Sequence, residues 1–277
     1  MTVTDAHHHV WDLSVRDQDW ITGPRLTPLR RDFTMEDLEP GARAAGVGRT
    51  VLVQTVTVPE ETPEFLALAE EHDLVAGVVG WTDLTRPDVA AELARLRELP
   101  GGRYLKGIRH QVQGEPDPEW LLRPDVLRGL AAVAAAGLVY DLVVLPHQLP
   151  ACVRAAAALP GLTFVLDHLG KPPVATGALE PWASGLRALA ALPNTVAKLS
   201  GLATEADPAS WTVRDLRPYA DVALEAFGPG RLMYGSDWPV CTLAGTYGGM
   251  LDAARRLTGP RDHARILDTT AARVYGL

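Results

Sequence analysis

Asp5-Ala6-His7-His8-His9-Val10-Trp11-Asp12 follows a short apolar start at Val3 and reads as a first β-strand running into a loop. Side chains alternate along a strand, so Asp5, His7 and His9 are expected on one face and His8 on the other. Two imidazoles two residues apart on one face can converge on one metal ion or one substrate oxygen. A histidine run can also be a solvated N-terminus or the remnant of a purification tag. Tags usually run longer and sit in Gly/Ser linkers, whereas apolar residues flank this run. Its meaning depends on what the rest of the chain supplies.

Working outward, seven further apolar, β-branched-rich runs follow: Thr50–Thr55, Val75–Trp81, Tyr104–His110, Val139–Leu145, Thr163–Asp167, Thr195–Leu199 and Leu232–Tyr234. Most lack polar alternation, as expected of strands buried on both faces. Helical patterns separate them: Met35–Ala45, Pro63–His72, Pro87–Leu99, Pro124–Ala136, Leu149–Leu159, Leu179–Leu192 and Asp215–Phe227, with Met250–Leu257 and Arg261–Tyr275 after the last strand. Several carry Pro in the first turn or Gly after the last, Pro124 with Gly137 most cleanly. Pro40 is expected to limit or kink its helix. Strands alternating with helices in this number predict an α/β fold, a single (β/α)8 barrel over residues 1–277, rather than an open doubly wound sheet. The stretches Asp12–Phe33 and Ser200–Arg214 follow strands one and seven and are long. In a barrel both lie at the C-terminal mouth, where loops build pockets.

The 277 residues suit one barrel, and 47% hydrophobic content is ample for its core. A net charge of −8 with no basic stripe argues against nucleic acid and anionic membrane as partners, though not against an anionic small substrate. No stretch reaches the ~20 apolar residues of a membrane span, and no basic-then-apolar leader opens the chain. Cys152 and Cys241 form no spacing pattern and are expected to be reduced thiols in a cytoplasmic protein, Cys241 close enough to a motif to line a pocket. The sequence leaves the oligomeric state open.

Ionisable groups recur where the apolar strands stop. Strand one supplies His7 and His9, and strand four ends Lys106-Gly107-Ile108-Arg109-His110. Strand five carries Tyr140-Asp141 and exits at Pro146-His147, and strand six ends Asp167-His168-Leu169-Gly170-Lys171-Pro172. Strand seven reads Lys198-Leu199-Ser200-Gly201, and strand eight ends Tyr234-Gly235-Ser236-Asp237-Trp238-Pro239. Any one of these groups is plausible as a helix cap. Recurrence at so many strand ends points to a site.

The motifs Asp-x-His-x-His-x-Trp-Asp, Gly-Ile-Arg-His, Leu-Asp-His-Leu-Gly-Lys-Pro and Tyr-Gly-Ser-Asp-Trp-Pro, in this order, resemble those of the amidohydrolase superfamily. Within it they resemble the amidohydrolase-related branch that includes sugar lactonases, such as L-fuconolactonase and L-rhamnonolactonase, and pyrone-dicarboxylate lactonase. The resemblance covers essentially the whole chain. It implies a (β/α)8 barrel with hydrolytic chemistry at its mouth, with His7 and His9 as the strand-one histidines, His168 as that of strand six and Asp237 as the strand-eight aspartate. Many members bridge two metals with a carboxylated lysine, or use a histidine, at the end of strand four or five. Here Lys106 stands too early, and His147 either substitutes or merely starts a helix. The resemblance therefore implies at most one divalent metal, zinc, on His7, His9, His168 and Asp237, weakly held or dispensable.

On this basis a small-molecule substrate, a lactone of a sugar acid, is expected to be opened by water with Asp237 as general base and His7, His9 and His168 polarising the carbonyl. The loops after strands one and seven would bind its hydroxyls. Arg109, His110, Asp141, Lys198, Trp11 and Trp238 are the expected substrate-binding residues. Only one of Arg109 and His110 should face the pocket, and Asp141 either orients a ligand or pairs with Lys198. Asp5 and Asp12 are expected only to shape the histidine loop. A metal-dependent amidase or deacylase, a decarboxylase and a non-catalytic binder are the competing readings.

Overall fold

The computed structural model describes residues 2–277. Its strands are β1 (Val3–His8), β2 (Val47–Val53), β3 (Val75–Gly80), β4 (Leu105–His110), β5 (Val139–Leu142), β6 (Phe164–Leu166), β7 (Thr195–Leu199) and β8 (Leu232–Tyr234). They lie side by side in sequence order, each parallel to the next. The ring closes between the two ends of the order: the Asp237 amide donates to the His7 carbonyl at 2.8 Å and the His9 amide to the Trp238 carbonyl at 2.7 Å. This is the expected (β/α)8 barrel.

The outer layer is α1 (Met35–Ala44), α2 (Glu61–Glu71), α3 (Val89–Glu98), α4 (Pro124–Ala135), α5 (Leu149–Ala158), α6 (Trp182–Ala190), α7 (Val213–Phe227) and α8 (Tyr247–Leu257). A π-helical turn, Arg265–Thr269, leads into α9 (Thr270–Tyr275). Pro124 opens α4, where its missing amide costs nothing, and Thr212 with Asp215 caps α7 reciprocally. Pro40 lies inside α1 rather than ending it. β5 stops at Leu142 instead of Leu145, because Pro146 opens a helical turn and the Val143 carbonyl is taken by the Gln113 amide at 3.0 Å. β6 stops at Leu166, where the chain coils through a left-handed turn.

The barrel interior is layered. Val51, Val53, Val79, Val139, Val165, Val196 and Met233 form an apolar floor, each buried, closed from below by Ala271 and Tyr275. Burial of each such side chain contributes roughly 1.5–3 kcal/mol. Moving two residues along a strand keeps the face, so Asp141 stands above Val139, Asp167 above Val165 and Lys198 above Val196. A charged layer therefore sits on the floor, directly under the mouth.

Strict alternation fails in β1. Asp5 pairs with Thr50 and His8 with Leu52, so β1 uses one residue more than β2 over this step, a β-bulge. Ala6 and His7 consequently both face the interior, while Asp5, expected beside His7, turns outward to the hydroxyl of Tyr247 (2.9 Å) and the Ser236 amide (2.7 Å).

Candidate active site

His7 is fully buried at the centre of the upper layer. Its Nδ1 lies 3.1 Å from Lys198 Nζ and 3.3 Å from Asp167, and its Nε2 lies 3.0 Å from His9 Nε2 and 3.8 Å from Asp237. A carbonyl only accepts, so the 2.7 Å contact of His9 Nδ1 with the Val53 carbonyl puts a proton on that nitrogen and leaves Nε2 as a lone pair. Arg109 donates from Nε to the Gln54 side chain at 2.8 Å, from Nη1 to Asp167 at 3.0 Å, and to the Gln54 carbonyl. Its guanidinium is thereby locked flat across the barrel, facing the cavity.

His168 and Asp237 approach from the far side, and both hold left-handed backbone, φ 51° and 58°. Non-glycine residues in this region store strain that only a well-determined surrounding sustains, and such residues gather at functional sites. His168 Nδ1 lies 2.9 Å from the Ser200 hydroxyl, and its Nε2 is 3.8 Å from Asp237. Two motif glycines make room. A Cβ on Gly201 would stand 2.8 Å from the His168 ring, and one on Gly235 would stand 2.7 Å from His7 Cβ.

Burial, followed by the charge of Lys198, holds His7 well below the ordinary imidazole range. Burial likewise lowers His9 and pushes His168 down to about 4. Asp237 is raised by burial, but its neighbours, His168 first and Lys171 among them, outweigh this and hold it below the usual carboxylate range. At neutral pH the site is one carboxylate ringed by three neutral imidazoles.

Those atoms surround a cavity lined by His9, Arg109, His168 and Asp237, with Thr55, Gln111 and Gln113 from the loops after β2 and β4, and Trp20, Val143, Lys171 and Val240 around them. The loop after β1 contributes Trp20, as expected of that loop. The loop after β7 lends Ser200 and Gly201 as backing for His168 rather than wall.

Five expected pocket residues lie elsewhere. His110 has the opposite parity to Arg109 and faces the helices, stacked on Trp120 at 4.2 Å and bonded to Glu115 at 2.7 Å. Asp141 and Lys198 pair at 2.5 Å in the fully buried charged layer, with the Tyr275 hydroxyl 2.8 Å from Asp141. Trp11 is buried against Trp20 and Phe33 and borders a separate apolar cavity of about 380 Å³ with Val10, Val15 and Phe65. Trp238 is buried edge-on against Phe33 and holds the barrel seam through its carbonyl. His147 is exposed at a helix start, far from ligand duty. Cys241 is a buried thiol outside the cavity lining. Sequence reasoning quoted Asp167 at a strand end without giving it a role, and passed over Gln54, Gln111 and Gln113. The two-residue step from Val165 was the available signal for Asp167.

His7, His168 and Asp237 offer ligand atoms that all lie within 4.8 Å of one another, each buried. Zinc bonds of ~2.0–2.2 Å put tetrahedral donors roughly 3.3–3.6 Å apart, close to the 3.8 Å from Asp237 to His7 Nε2 and to His168 Nε2, and three protein donors leave a position open for substrate or water, so the set fits a divalent metal. His9, expected as a fourth ligand, lies outside this set, although its free Nε2 stands 3.0 Å from His7 Nε2 and 3.6 Å from Asp237.

The chain is 40% identical over 278 residues to an L-fucono-1,5-lactonase from Burkholderia ambifaria, covering 98% of this chain and 94% of that one. It is 39% identical over 290 residues to an L-fucono-1,5-lactonase from Burkholderia multivorans, covering 99% and 95%. A crystal structure of an amidohydrolase from Burkholderia multivorans with bound zinc superposes with a TM-score of 0.92 at 39% identity, each chain covered in full. The profile of the amidohydrolase family matches residues 4–277, and the chain belongs to that family.

Proposed function

We propose that this protein is a lactonase that opens the ring ester of a sugar aldonolactone, with L-fucono-1,5-lactone the first substrate to try. The similarity to L-fucono-1,5-lactonases along nearly the whole chain carries this reading. The buried carboxylate among neutral imidazoles supplies the chemistry it needs.

In this proposal Asp237, ionised at neutral pH, takes a proton from the attacking water as the new C–O bond forms. The ring C–O bond then breaks, and the same proton passes to the leaving alkoxide, restoring the carboxylate. With the Ser200 hydroxyl donating to Nδ1, neutral His168 carries its proton on Nε2 and presents it to the developing oxyanion. Gln111, Gln113 and Thr55 give the amide and hydroxyl groups that sugar hydroxyls need.

His7, His168 and Asp237 would hold a divalent metal, zinc by preference, which when bound polarises the carbonyl as a Lewis acid. We place it as weakly held or dispensable. A metal-bound histidine is strengthened by a carboxylate on its other nitrogen, but Asp167 shares that nitrogen of His7 with the Lys198 ammonium, which opposes a second cation.

A panel of aldonolactones, amides and carboxylated aromatics in weakly buffered dye solution, with and without chelator, tests this. The expected result is acid release from one or more lactones that largely survives chelation. Turnover of an amide or a carboxylated aromatic, with lactones opening only at the spontaneous rate, overturns it.

A further inference from the structure

After β6 the chain takes four left-handed residues in a span of four: His168, Leu169, Gly170 and Lys171, at φ 51°, 52°, 70° and 52°. This coil brings the Lys171 amide back to the His168 carbonyl at 2.9 Å and sets Lys171 on the wall of the same cavity as His168 and Asp237. Three of these four are not glycine, so the conformation is strained and needs a reason.

The other cations near the cavity are committed. Arg109 is bonded to Gln54 and Asp167, Lys198 lies between Asp141 and Asp167, and Arg25 donates to the Thr204 carbonyl. Among the described residues the ammonium of Lys171 has no hydrogen bond or ion pair with the protein. Asp237 and Glu205 both act in its neighbourhood through space, yet neither pairs with it. An ammonium on a cavity wall without a partner is a group waiting for an anion.

Hydrolysis of a neutral lactone creates one. Ring opening converts the ester into a carboxylic acid, which releases its proton to solvent at neutral pH and leaves a carboxylate in a cavity that already holds the charge of Asp237. We propose that Lys171 binds the carboxylate oxygens generated by ring opening, and so meets the same oxygens as charge grows on them during water attack. Lys171 would then be a catalytic residue and the anchor of the sugar-acid product. The assignment rests on the lactonase reading.

The test compares wild type with Lys171→Met and Lys171→Asn in the full-length chain. Asn tolerates left-handed backbone better than other non-glycine residues, so it separates lost charge from lost fold. L-fuconate and neutral L-fucose are titrated by calorimetry, alongside kcat and KM for L-fucono-1,5-lactone. Loss of a hydrogen bond to a charged group predicts L-fuconate binding weaker by on the order of tenfold or more in both variants. L-fucose affinity stays as in wild type, and kcat falls more than KM rises. If wild type opens lactones and both variants bind L-fuconate unchanged, Lys171 is not the anchor and the lactonase reading stands. If wild type neither opens lactones nor binds L-fuconate, both fall together.

Discussion

Lys198 Nζ stands 3.1 Å from Nδ1 of His7, on the side of the ring away from Asp237, with both residues fully buried. The same ammonium reaches Asp141 at 2.5 Å and Asp167 at 3.0 Å. Lys198 and Arg109 thus balance two buried carboxylates, and the balanced layer holds the underside of His7 in one orientation. Burial pushes Asp141 up to about 6 against the pull of Lys198, whereas Lys198, His7 and Arg109 together overcome burial and hold Asp167 well below the ordinary range. Asp167 is the firmer anion of the two.

Lys198→Met removes one cation from this layer and strands carboxylate charge in the barrel. Breaking a buried pair from one side costs about 3–5 kcal/mol, and that loss is expected in urea unfolding. The double variant Lys198→Met with Asp141→Asn should recover part of it, because it removes the stranded charge as well. A single variant as stable as wild type would show that the layer carries no such coupling.

Asp237→Asn tests the proposed base. Its φ of 58° is a conformation Asn accepts readily, so the backbone need not move. The amide keeps the shape but cannot take the proton of water, and kcat is expected to fall by ~10²–10⁴. Unfolding midpoint and affinity for L-fucose should stay near wild type. Retained kcat would reduce Asp237 to a structural residue.

Gly201→Ala should act through His168. The new Cβ would sit 2.8 Å from the imidazole, and φ 68° strains any side chain there. Gly177 has nearly the same φ, 71°, with nothing within 4 Å of an added Cβ, so Gly177→Ala carries the backbone cost alone. Activity is expected to fall by roughly 10² in the first variant, the scale of a 1 Å misplacement, and to stay near wild type in the second. Equal losses in both would mean that strain, not the position of His168, governs the rate.

The barrel was legible because each strand is an apolar run punctuated by Pro, Gly or a charged exit, and the ionisable residues gather where those runs stop. His7, His168 and Asp237 meet as their motifs suggest. Orientation was less legible. His110 and Arg109 are neighbours on β4, and only parity against the floor, absent from a list of motifs, separates cavity from helix layer. Asp141 and Lys198 stand one level below the mouth, a depth that strand length alone does not give. The bulge that turns Asp5 away from His7 depends on the register with β2, a contact between segments far apart in sequence.

Glu61 supplies the last prediction, and it concerns stability. Its carboxylate lies behind the cavity wall, accepting from the amides of Thr55 (2.8 Å) and Val56 (3.3 Å) and from the Thr55 hydroxyl. It is only 1% exposed, and burial pushes it up to about 7 from an ordinary 4.5, in spite of those hydrogen bonds. The native state therefore holds this proton more tightly than the unfolded chain does. Its contribution is fully present below pH ~4.5 and is lost as pH rises through ~7, with a full loss of about 3 kcal/mol. Asp141, raised to about 6, has the same sign, whereas His168, lowered to about 4, has the opposite one, so the wild-type profile mixes them. Glu61→Gln removes one slope and leaves the others. The difference in unfolding free energy between wild type and Glu61→Gln, measured in urea at pH 5, 6, 7 and 8, should move steadily in favour of the variant as pH rises. A difference that does not change with pH would show that Glu61 titrates alike in the folded and unfolded chain, and that the wall behind Thr55 is open to water.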